Sequence, residues 1–512
     1  MDAGTTRPQH PATLAFDDVV ALVRERAEVR VVVGDGEPGP VSGITLDSRR
    51  VLPGDVYAAL PGARAHGIDF VDQAVAAGAC AVLTDESGAA ALPPGTPGIV
   101  VAWPRTVLGA VSAGIYGRPA EAMRMIGVTG TQGKTTVTRL LDGGLGAAGT
   151  SSAVVGTVGT RIAGADLKTA LTTPEAPDLH GLFAVMRERG VEVCAMEVSS
   201  HALVLGRVDG VVFDVAVFTN LGRDHLDFHT DLDDYFAAKA QLFTPERARL
   251  GVVNIDDGHG RRLAAEATVP VRTLSTRGQD ADWSAVDLDL GHEGSTFTVR
   301  GPGGVSLHAA VPLPGDFNVA NALAAIAAAV EAGLDPTTVV AGIAAAGGVP
   351  GRLERVSGAR APFAVYVDYA HKPDALTAVL ATLRPVTRGR LIAVIGAGGD
   401  RDQGKRPVMG AIAAATADLV VVTDDNPRTE DPATIRAAVL AGTAEVPEGE
   451  RAEVREVGDR RAAIEAALTA ARDGDVVLVA GKGHETGQEV SGVVHPFDDR
   501  DVVRDLLRSV GR

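Results

Sequence analysis

The feature that most constrains this chain is the stretch from Met125 to Thr136, which reads Met-Ile-Gly-Val-Thr-Gly-Thr-Gln-Gly-Lys-Thr-Thr. The apolar run Met125–Val128 is typical of a buried strand, and the apolar spacing after Lys134 is typical of a helix. A strand, a glycine-spaced loop and a helix start in this order resemble a phosphate-binding loop. Glycines let successive backbone N–H groups point at one anion, and the helix start adds the positive end of its dipole.

The loop departs from the usual G-x-x-x-x-G-K-[ST] pattern at one position, because Val128 stands where the first glycine is expected. Lys134 can still reach the β- and γ-phosphates of a nucleotide, and the Thr135 hydroxyl can join a Mg²⁺ shell. A glycine-rich turn that binds nothing is the alternative, and the flanking strand and helix argue against it. We therefore predict ATP binding by Gly130, Thr131, Gln132, Gly133, Lys134, Thr135 and Thr136.

Composition narrows the classes of partner. The chain has 512 residues and a formal net charge of −17, which argues against nucleic acid or an anionic membrane as its main partner. No signal peptide opens the sequence and no apolar run of about 18 residues occurs, so we expect a cytoplasmic protein without membrane insertion. Its two cysteines, Cys80 and Cys194, lie in apolar runs and are expected to be buried small hydrophobes.

The order of strands and helices predicts an α/β fold in three domains. A Gly-Arg-Pro sequence at 117–119 and a Pro-Gly pair at 350–351 break the pattern, so we place the domains at 1–120, 121–350 and 351–512. Strands alternating with helices predict a mostly parallel sheet in the central domain and a second doubly wound sheet in the last. The polar residues before position 16 are expected to be frayed.

Polar clusters in the central domain leave alternatives open. Glu197 ends an apolar strand, where ligands bind in open α/β sheets, and it could take Mg²⁺ or be a surface charge. The segment Asp224–Asp227 reads Asp-His-Leu-Asp, which suits a metal or phosphate as well as an ordinary turn. Lys239 lies in a helical stretch and, taken alone, is interpreted as a solvated lysine.

In the last domain, three glycine-rich or charged loops follow strands of one predicted sheet, at 396–407, 424–428 and 481–485. Arg401 and Arg428 supply positive charge that can bind anions or a carboxylate. Each loop alone could be a solvated turn. Because loops after parallel strands meet at one edge, together they predict a substrate site.

Taken together, these segments resemble the Mur ligase family from about residue 40 to about residue 505. The resemblance is carried by Leu46–Arg49, Pro53–Asp55, Thr129–Thr136, Thr172–Pro174, Met196–His201, Asp224–Asp227, Tyr235–Lys239, Pro314–Asn321, Gly351–Glu354, Asp368–Pro373, Gly398–Pro407, Asp425–Arg428 and Gly481–Glu485. It implies an N-terminal α/β uridine-binding domain, a central ATP-binding P-loop domain with a parallel sheet, and a C-terminal Rossmann-like domain that binds an amino acid.

The resemblance also implies a reaction that needs ATP and Mg²⁺. Its small-molecule substrates would be UDP-N-acetylmuramoyl-L-alanyl-D-glutamate and meso-diaminopimelate, in peptidoglycan precursor synthesis. The D-glutamate side-chain carboxylate is phosphorylated, the incoming amine attacks the acyl phosphate, and phosphate leaves. Such a site needs phosphate contacts and a positioned amine more than a covalent nucleophile. The sequence does not specify an oligomeric state, and we expect a monomer.

Matching motif by motif carries the family's site residues onto this chain. The implied catalytic residues are Lys134, Glu197, His225 and Lys239. The implied Mg²⁺ ligands are Thr135, Glu197, His225 and Lys239, the last as a carbamate. The further nucleotide contacts are Asn318, Arg352 and Asp368. The implied contacts to the UDP-sugar dipeptide are Leu46, Ser48, Thr172, Thr173, Ser199 and Arg207, with the loop at 63–65 a weaker match.

Amino-acid recognition would depend on Arg401, Asp425, Asn426, Arg428, Gly481 and Glu485. The Asp-Asn-Pro-Arg sequence resembles the diaminopimelate-adding members, since Arg428 would pair with the distal carboxylate that lysine lacks. Glu485 would take the distal ammonium. The chain departs from the family at Gln132, where many members have asparagine, and at Leu205, which cannot make the sugar-side hydrogen bond of a polar residue.

Three alternatives remain. An L-lysine-adding ligase belongs to the same family, and Arg428 argues against it. A folate polyglutamate ligase would share the phosphate loop and metal residues but lack the motif at Leu46–Arg49. A nucleotide-binding regulator without ligase activity would be favoured by replacement of any of the four implied catalytic residues, and all four are present.

Overall fold

A computed structural model describes residues 6–32, 38–62, 65–167, 169–358 and 361–509. The chain forms two compact units. The first comprises Met1–Ser284, Gly301–Gly303 and Leu323–Gly342, and the second comprises Ala285–Arg300, Gly304–Ala322 and Ile343–Arg512. The predicted boundaries near residues 120 and 350 stay predictions. Within the described ranges, no helix is both long and apolar enough to cross a membrane.

The first unit begins with a small α/β sheet. Its elements are α1 (Phe16–Arg24), β1 (Arg30–Val32), β2 (Gly43–Thr45), β3 (Asp55–Ala58), α2 (Val71–Ala76), β4 (Ala81–Thr84), α3 (Glu86–Ala89), β5 (Gly98–Val100) and α4 (Pro104–Ile115). The strand order is β1-β5-β4-β3-β2, with β1 antiparallel and the others parallel. The apolar faces of α1 and α4 pack into its core.

The expectation of a frayed start is wrong for the described residues 6–10. Thr6 is buried, and the Arg7 guanidinium pairs with Asp55 at 2.8 Å. The backbone N–H groups of Gln9 and His10 donate to the Glu188 carboxylate. Polar residues therefore order this segment through distant carboxylates that local pattern could not reveal. Of the cysteines, Cys194 is buried as expected, whereas Cys80 is only half-buried.

A larger, mostly parallel sheet follows in the same unit. Its elements are β6 (Arg124–Thr129), α5 (Lys134–Ala147), β7 (Ser152–Gly156), β8 (Gly159–Ile162), β9 (Ala165–Leu167), α6 (Ala176–Glu188), β10 (Val193–Glu197), α7 (Ser200–Val204), β11 (Val215–Phe218), α8 (Leu232–Ala240), β12 (Gly251–Asn254), α9 (Gly258–Glu266) and β13 (Val271–Ser275). The order is β13-β12-β11-β6-β10-β7-β8-β9, with β8 and β9 added as antiparallel strands. Because β10 and β11 flank β6 and both run parallel to it, the loops that follow these three strands share one edge.

The alternation of strand and helix expected across 121–350 does not hold throughout. The strands β14 (Trp283–Leu290), β15 (Ser295–Gly301) and β16 (Val305–Val311) follow one another without an intervening α-helix and are neighbours in that order. Burial alternates along β15, as in a strand with one solvated face. Two helices then follow, α10 (Asp316–Glu331) and α11 (Pro336–Ala345).

The second unit contains a six-stranded sheet covered on both faces. Its elements are β17 (Glu354–Arg355), β18 (Ala364–Asp368), α12 (Pro373–Val386), β19 (Leu391–Ile395), α13 (Lys405–Thr416), β20 (Leu419–Val422), α14 (Pro432–Ala444), β21 (Glu453–Glu456), α15 (Arg460–Ala470), β22 (Val476–Ala480), β23 (Gly487–Val490), β24 (Val493–Pro496) and α16 (Asp499–Ser509). The order is β17-β18-β22-β19-β20-β21, and β23 pairs with β24 as a separate antiparallel hairpin. The mixed α/β fold class is thereby confirmed.

Parallel pairing positions the site loops of this unit. The strands β18, β22, β19 and β20 are parallel neighbours and are buried along their whole length. Their carboxyl ends lead into Asp368, Gly481, Gly396 and Asp424 respectively. The predicted convergence of three loops on one sheet edge is therefore confirmed, and a fourth strand end joins them.

Candidate active site

The phosphate loop joins β6 to α5 with two glycines in left-handed conformations. Gly130 has φ +141° and Gly133, which precedes the helix, has φ +89°, so side chains would strain the backbone at both positions. The Lys134 ammonium donates to the carbonyls of Gly130 at 2.8 Å and Thr131 at 3.1 Å. The side chain of Lys134, which is predicted to bind phosphate, thus folds back onto the carbonyls of its own loop.

The segment after β11 fixes the shape of this loop. Gln132 N–H donates to Asn220 Oδ1 at 2.9 Å, and Asn220 Nδ2 donates back to the Gln132 carbonyl at 3.2 Å. The Thr219 hydroxyl donates to the same carbonyl at 2.6 Å. A Cβ on Gly130 would come within 1.9 Å of Thr219 Oγ1. Thr219 and Asn220 therefore hold the phosphate loop in shape, a role that sequence reasoning did not assign to them.

Lys239 on α8 is buried, so its interpretation as a solvated lysine is wrong. The residue is 1% exposed. Its ammonium donates to the Gly130 carbonyl at 2.9 Å and lies 4.4 Å from the centre of the Tyr235 ring. Tyr235 is one helical turn earlier, and its hydroxyl lies 3.3 Å from Thr131 Oγ1. The helix therefore brings Lys239 directly to the phosphate loop.

Glu197 at the end of β10 is also buried, which rules out an ordinary surface charge. Its carboxylate accepts the Thr157 N–H at 2.9 Å and the Thr157 hydroxyl at 3.1 Å. Among the described residues it makes no ion pair closer than 4 Å. The Thr157 hydroxyl also lies 3.0 Å from the Thr172 hydroxyl. A buried carboxylate held by neutral groups is suited to a cation.

His225 lies in the loop between β11 and α8 with φ +53°, a conformation that non-glycine residues rarely adopt. Its ring lies 4.9 Å from that of His201 and 5.9 Å from that of Tyr235, centre to centre. Over the described ranges, no three His, Cys, Asp or Glu side chains are grouped to hold a metal. The implied set contains only two such residues, so it stays a prediction that depends on Thr135 and Lys239.

Three of the implied substrate contacts meet beside the end of β10. The Thr173 hydroxyl donates to the Glu197 carbonyl at 2.8 Å and accepts the Ser199 N–H at 3.3 Å. Arg207 Nη1 donates to the Thr173 carbonyl at 3.4 Å. Burial of the His201 ring, together with the nearby His229, lowers the pKa of that imidazole. Thr173, Ser199 and Arg207 therefore form one hydrogen-bonded group with the strand that carries Glu197.

The implied uridine contacts lie elsewhere, beside β2 in the small sheet. The buried Ser48 hydroxyl donates to Gln73 Oε1 at 2.8 Å, and Leu46 packs partly against the small-sheet core. No hydrogen bond between described residues joins either of them to the group around Thr173. Of the weaker match at 63–65, residues 63 and 64 lie outside the described residues.

In the second unit, Asp368 ends β18 and organises the turn that follows. Its carboxylate accepts the N–H groups of Leu353 at 2.6 Å and Ala370 at 2.7 Å. Burial raises the pKa of this carboxyl, and the nearby Arg352 opposes that rise. The Arg352 guanidinium lies 4.7 Å from the centre of the Tyr369 ring. Arg352 and Asp368 are thus brought together, and their implied nucleotide contacts stay predictions.

Asn318, the remaining implied nucleotide contact, is buried on α10. Its Nδ2 donates to the Pro314 carbonyl at 2.8 Å, and its Oδ1 accepts Asn321 Nδ2 at 3.2 Å. Arg401 is exposed and makes no side-chain hydrogen bond or ion pair with the described residues. Neither observation tests the implied roles, which stay predictions.

Apart from Arg401, the implied amino-acid contacts lie together at the sheet edge, and their roles stay predictions. Asn426 Nδ2 donates to Glu485 Oε2 at 2.9 Å. Gly481 has φ +117°, and a Cβ there would come within 2.4 Å of Asp425 Oδ2, so only glycine fits. Arg428 has φ +53°, and its Nη1 donates to the Gly399 carbonyl at 2.6 Å. These three loops are in direct contact.

The comparisons with known proteins cover almost the whole chain. Residues 40–116 match the catalytic domain of the Mur ligase family, residues 128–329 match the Mur ligase middle domain, and residues 351–483 match the Mur ligase glutamate ligase domain. A Streptomyces coelicolor protein named UDP-N-acetylmuramoyl-L-alanyl-D-glutamate–2,6-diaminopimelate ligase is 58% identical over 503 residues, 98% of each chain. A Corynebacterium glutamicum protein of the same name is 51% identical over 477 residues, 91% of this chain and 92% of that protein. A solved structure of a protein with this name is 34% identical with a TM-score of 0.69, covering 98% of this chain and 100% of that one. The chain belongs to the Mur ligase family.

Sequence reasoning missed the hairpin of β23 and β24, which holds the loop of Asp425, Asn426 and Arg428 in this Mur ligase. Gln488 Nε2 donates to the Asp425 carbonyl at 2.8 Å, and Glu489 N–H donates to Asn426 Oδ1 at 3.0 Å. Arg428 N–H donates to the Glu489 carbonyl at 3.0 Å, and Arg428 Nε lies 3.4 Å from the Glu489 carboxylate. The hairpin therefore stabilises the left-handed backbone of Arg428. Its two strands are short, and their sequence pattern did not indicate this role.

A buried ion pair in this Mur ligase was also missed. Arg460, at the start of α15, and Asp499, at the start of α16, are both fully buried and 2.8 Å apart. Arg460 also donates to the carbonyls of Ala480 at 3.0 Å and Asp424 at 3.3 Å. Burial alone would lower the pKa of Arg460, but Asp499 raises it. The pair thus fixes the ends of β22 and β20, just before the loops that carry Gly481 and Asp425.

Proposed function

We propose that this Mur ligase joins meso-diaminopimelate to UDP-N-acetylmuramoyl-L-alanyl-D-glutamate at the expense of ATP. The observation that carries the proposal is the contact of three loops at a single sheet edge: Asn426 donates to Glu485, and Arg428, in the same loop as Asn426, donates to the Gly399 carbonyl. An arginine and a carboxylate at this edge match the two charges of an amino acid's distal end. The name of the relatives that share 58% and 51% identity supports the same reaction.

The first unit supplies the groups that bind phosphate. The N–H groups of Thr131 and Gln132 donate to Asn220, so the start of α5 would supply the backbone donors for a phosphate, and Lys134 would move from its loop carbonyls to a phosphate oxygen. This exchange would replace hydrogen bonds to the Gly130 and Thr131 carbonyls, which are neutral acceptors, by a bond to an anionic oxygen. The D-glutamate carboxylate would then receive the phosphoryl group, and the attacking amine would displace phosphate from the acyl carbon.

The residues near the phosphate loop suit Mg²⁺. Glu197 and His225 would hold it, with Thr135 and with Lys239 once its Nζ carries a carbamate. Glu197 fits because it is a buried carboxylate bonded by the neutral Thr157. Bound Mg²⁺ would offset negative charge on the transferred phosphoryl group. A carbamate would replace the buried ammonium of Lys239 by an anion beside Gly130.

In the second unit, the amino-acid loops would orient the incoming amine. Arg428 would bind the distal carboxylate of meso-diaminopimelate, and Glu485 would bind the distal ammonium. L-lysine lacks that carboxylate, so it would leave Arg428 with only Gly399 and Glu489 as partners. Holding the distal end in this way would aim the reacting amine at the acyl carbon. We place the protein in the cytoplasm, as a monomer, where such precursors are made.

The test is phosphate release by the purified protein with ATP, Mg²⁺ and the UDP-linked dipeptide, with either meso-diaminopimelate or L-lysine added. We expect turnover only with meso-diaminopimelate, and no turnover by the Lys134→Ala variant. Turnover with L-lysine would overturn the proposed specificity. Silence with both amino acids, in protein that still binds ATP, would favour a nucleotide-binding regulator without ligase activity.

A further inference from the structure

Lysine is rare in this chain, with six lysines among the 48 lysines and arginines. One of them, Lys168, lies outside the described residues. The other five all lie in segments that carry the predicted site: Lys134, Lys239, Lys372, Lys405 and Lys482. Since arginine serves as the cation almost everywhere else, these positions are where a compact ammonium, rather than a planar guanidinium, is needed. Lys482 is one of them that the proposed reaction leaves without a role.

Lys482 is enclosed between two implied amino-acid contacts. Its side chain is 0% exposed. The ammonium donates to Asn426 Oδ1 at 3.0 Å and to Glu485 Oε2 at 3.1 Å. Because Asn426 Nδ2 also donates to Glu485 Oε2 at 2.9 Å, the three side chains form a closed triangle.

This triangle decides which way the Asn426 amide faces. Its Oδ1 accepts both the Lys482 ammonium and the Glu489 N–H at 3.0 Å, so the Nδ2 must face Glu485. One hydrogen on Nδ2 and the Glu485 Oε1 atom are left over, since no described residue bonds to Glu485 Oε1. A donor and an anionic acceptor thus stand side by side, as the distal end of a zwitterionic amino acid requires.

We propose that Lys482 is a positioning residue for the incoming amino acid, acting through Asn426 and Glu485. The inference rests on the proposed function. The ammonium holds the amide in one orientation and keeps the Glu485 carboxylate in the loop edge rather than extended into water. An arginine could not do this in the same enclosed space, because its donors are spread over a larger planar group.

The experiment compares Lys482→Met, which keeps the length of the side chain and removes its charge, with the wild-type protein. Losing hydrogen bonds to a charged group should raise the KM for meso-diaminopimelate roughly 10- to 100-fold. We expect kcat at saturating meso-diaminopimelate and the KM for ATP to stay within about threefold, since the Lys482 ammonium bonds to Asn426 and Glu485, which are implied contacts of the amino acid and not of ATP. Arg390→Met is the matched control: it removes a half-buried cation, paired with Asp475 at 3.0 Å, at the other end of β19.

A double variant separates positioning from a general structural role. If Lys482 acts through Asn426, the double variant should have a KM for meso-diaminopimelate less than about threefold above that of Asn426→Ala alone. Full additivity of the two effects, or an unchanged KM in Lys482→Met, overturns the inference while the proposed function stands. Absence of turnover by the wild-type protein overturns both. Should Lys482→Met fail to unfold cooperatively on heating, Lys482→Gln is measured in its place, and the same results support or overturn the inference.

Discussion

Replacing Arg428 by alanine should weaken the binding of meso-diaminopimelate far more than the binding of ATP. The side chain now donates to the Gly399 carbonyl and lies 3.4 Å from the Glu489 carboxylate. Glu489 is 38% exposed, so water can replace that contact and its loss costs little. The loss of a charged hydrogen bond to the distal carboxylate is worth about 1.5–3 kcal/mol. At about 1.4 kcal/mol per tenfold change, the KM for meso-diaminopimelate should rise roughly 10- to 150-fold.

The assay for this prediction is steady-state phosphate release at varied meso-diaminopimelate and, separately, at varied ATP. The backbone of Arg428 has φ +53°, a conformation that costs arginine and alanine alike about 1 kcal/mol because both carry a Cβ. Arg428→Gly therefore serves as a second variant that removes the guanidinium and also relieves this strain, and it should show the same rise in KM. A rise in the KM for ATP as large as that for meso-diaminopimelate would refute the assigned role. A normal KM in Arg428→Gly would show that the guanidinium does not bind the distal carboxylate.

Three further predictions concern buried charged or titratable groups. Lys239→Ala should lose most activity and recover part of it with added short carboxylates, and no recovery in folded protein would contradict the carbamate. Asp499→Ala leaves Arg460 buried without its partner, so the free energy of unfolding of the second unit, measured with denaturant, should fall by about 3–5 kcal/mol. A fall below about 1 kcal/mol would contradict this. Burial lowers the pKa of His180 to about 4, below the unfolded value of about 6.5. As the pH drops, the unfolded chain therefore binds the proton first, and the free energy of unfolding falls by up to about 3 kcal/mol between about pH 6.5 and 4. The urea midpoint of His180→Gln should fall less than that of the wild-type protein over this range. The same dependence of the midpoint on pH in both proteins would argue against the burial effect.

The regular spacing of apolar residues along the chain correctly predicted the elements that it marks. The phosphate-loop strand and helix lie where the apolar run Met125–Val128 and the apolar spacing after Lys134 placed them. By contrast, the hairpin of β23 and β24 is short and largely solvent-facing, so no strong periodicity marks it.

Long-range contacts decided the states of the polar side chains. Lys239 looked solvated from its helix alone, and only the packing of α8 on the phosphate loop buries it beside Gly130, 109 positions away. Similarly, Asn426 meets Lys482 56 positions later. A local segment carries no information on which distant groups will exclude water from it.

The sequence by itself determined the α/β fold, the phosphate loop and the set of loops that end parallel strands, because these depend on the spacing of apolar residues and on glycine's conformational freedom. It also carried the motifs that place the chain in its family. Only the tertiary structure decided which polar groups are enclosed together: Lys239 with the phosphate loop, Lys482 with Asn426 and Glu485, and Arg460 with Asp499. The reason is physical, since the orientation and charge of such groups are set by partners and by the exclusion of water, and both arise only when distant segments pack.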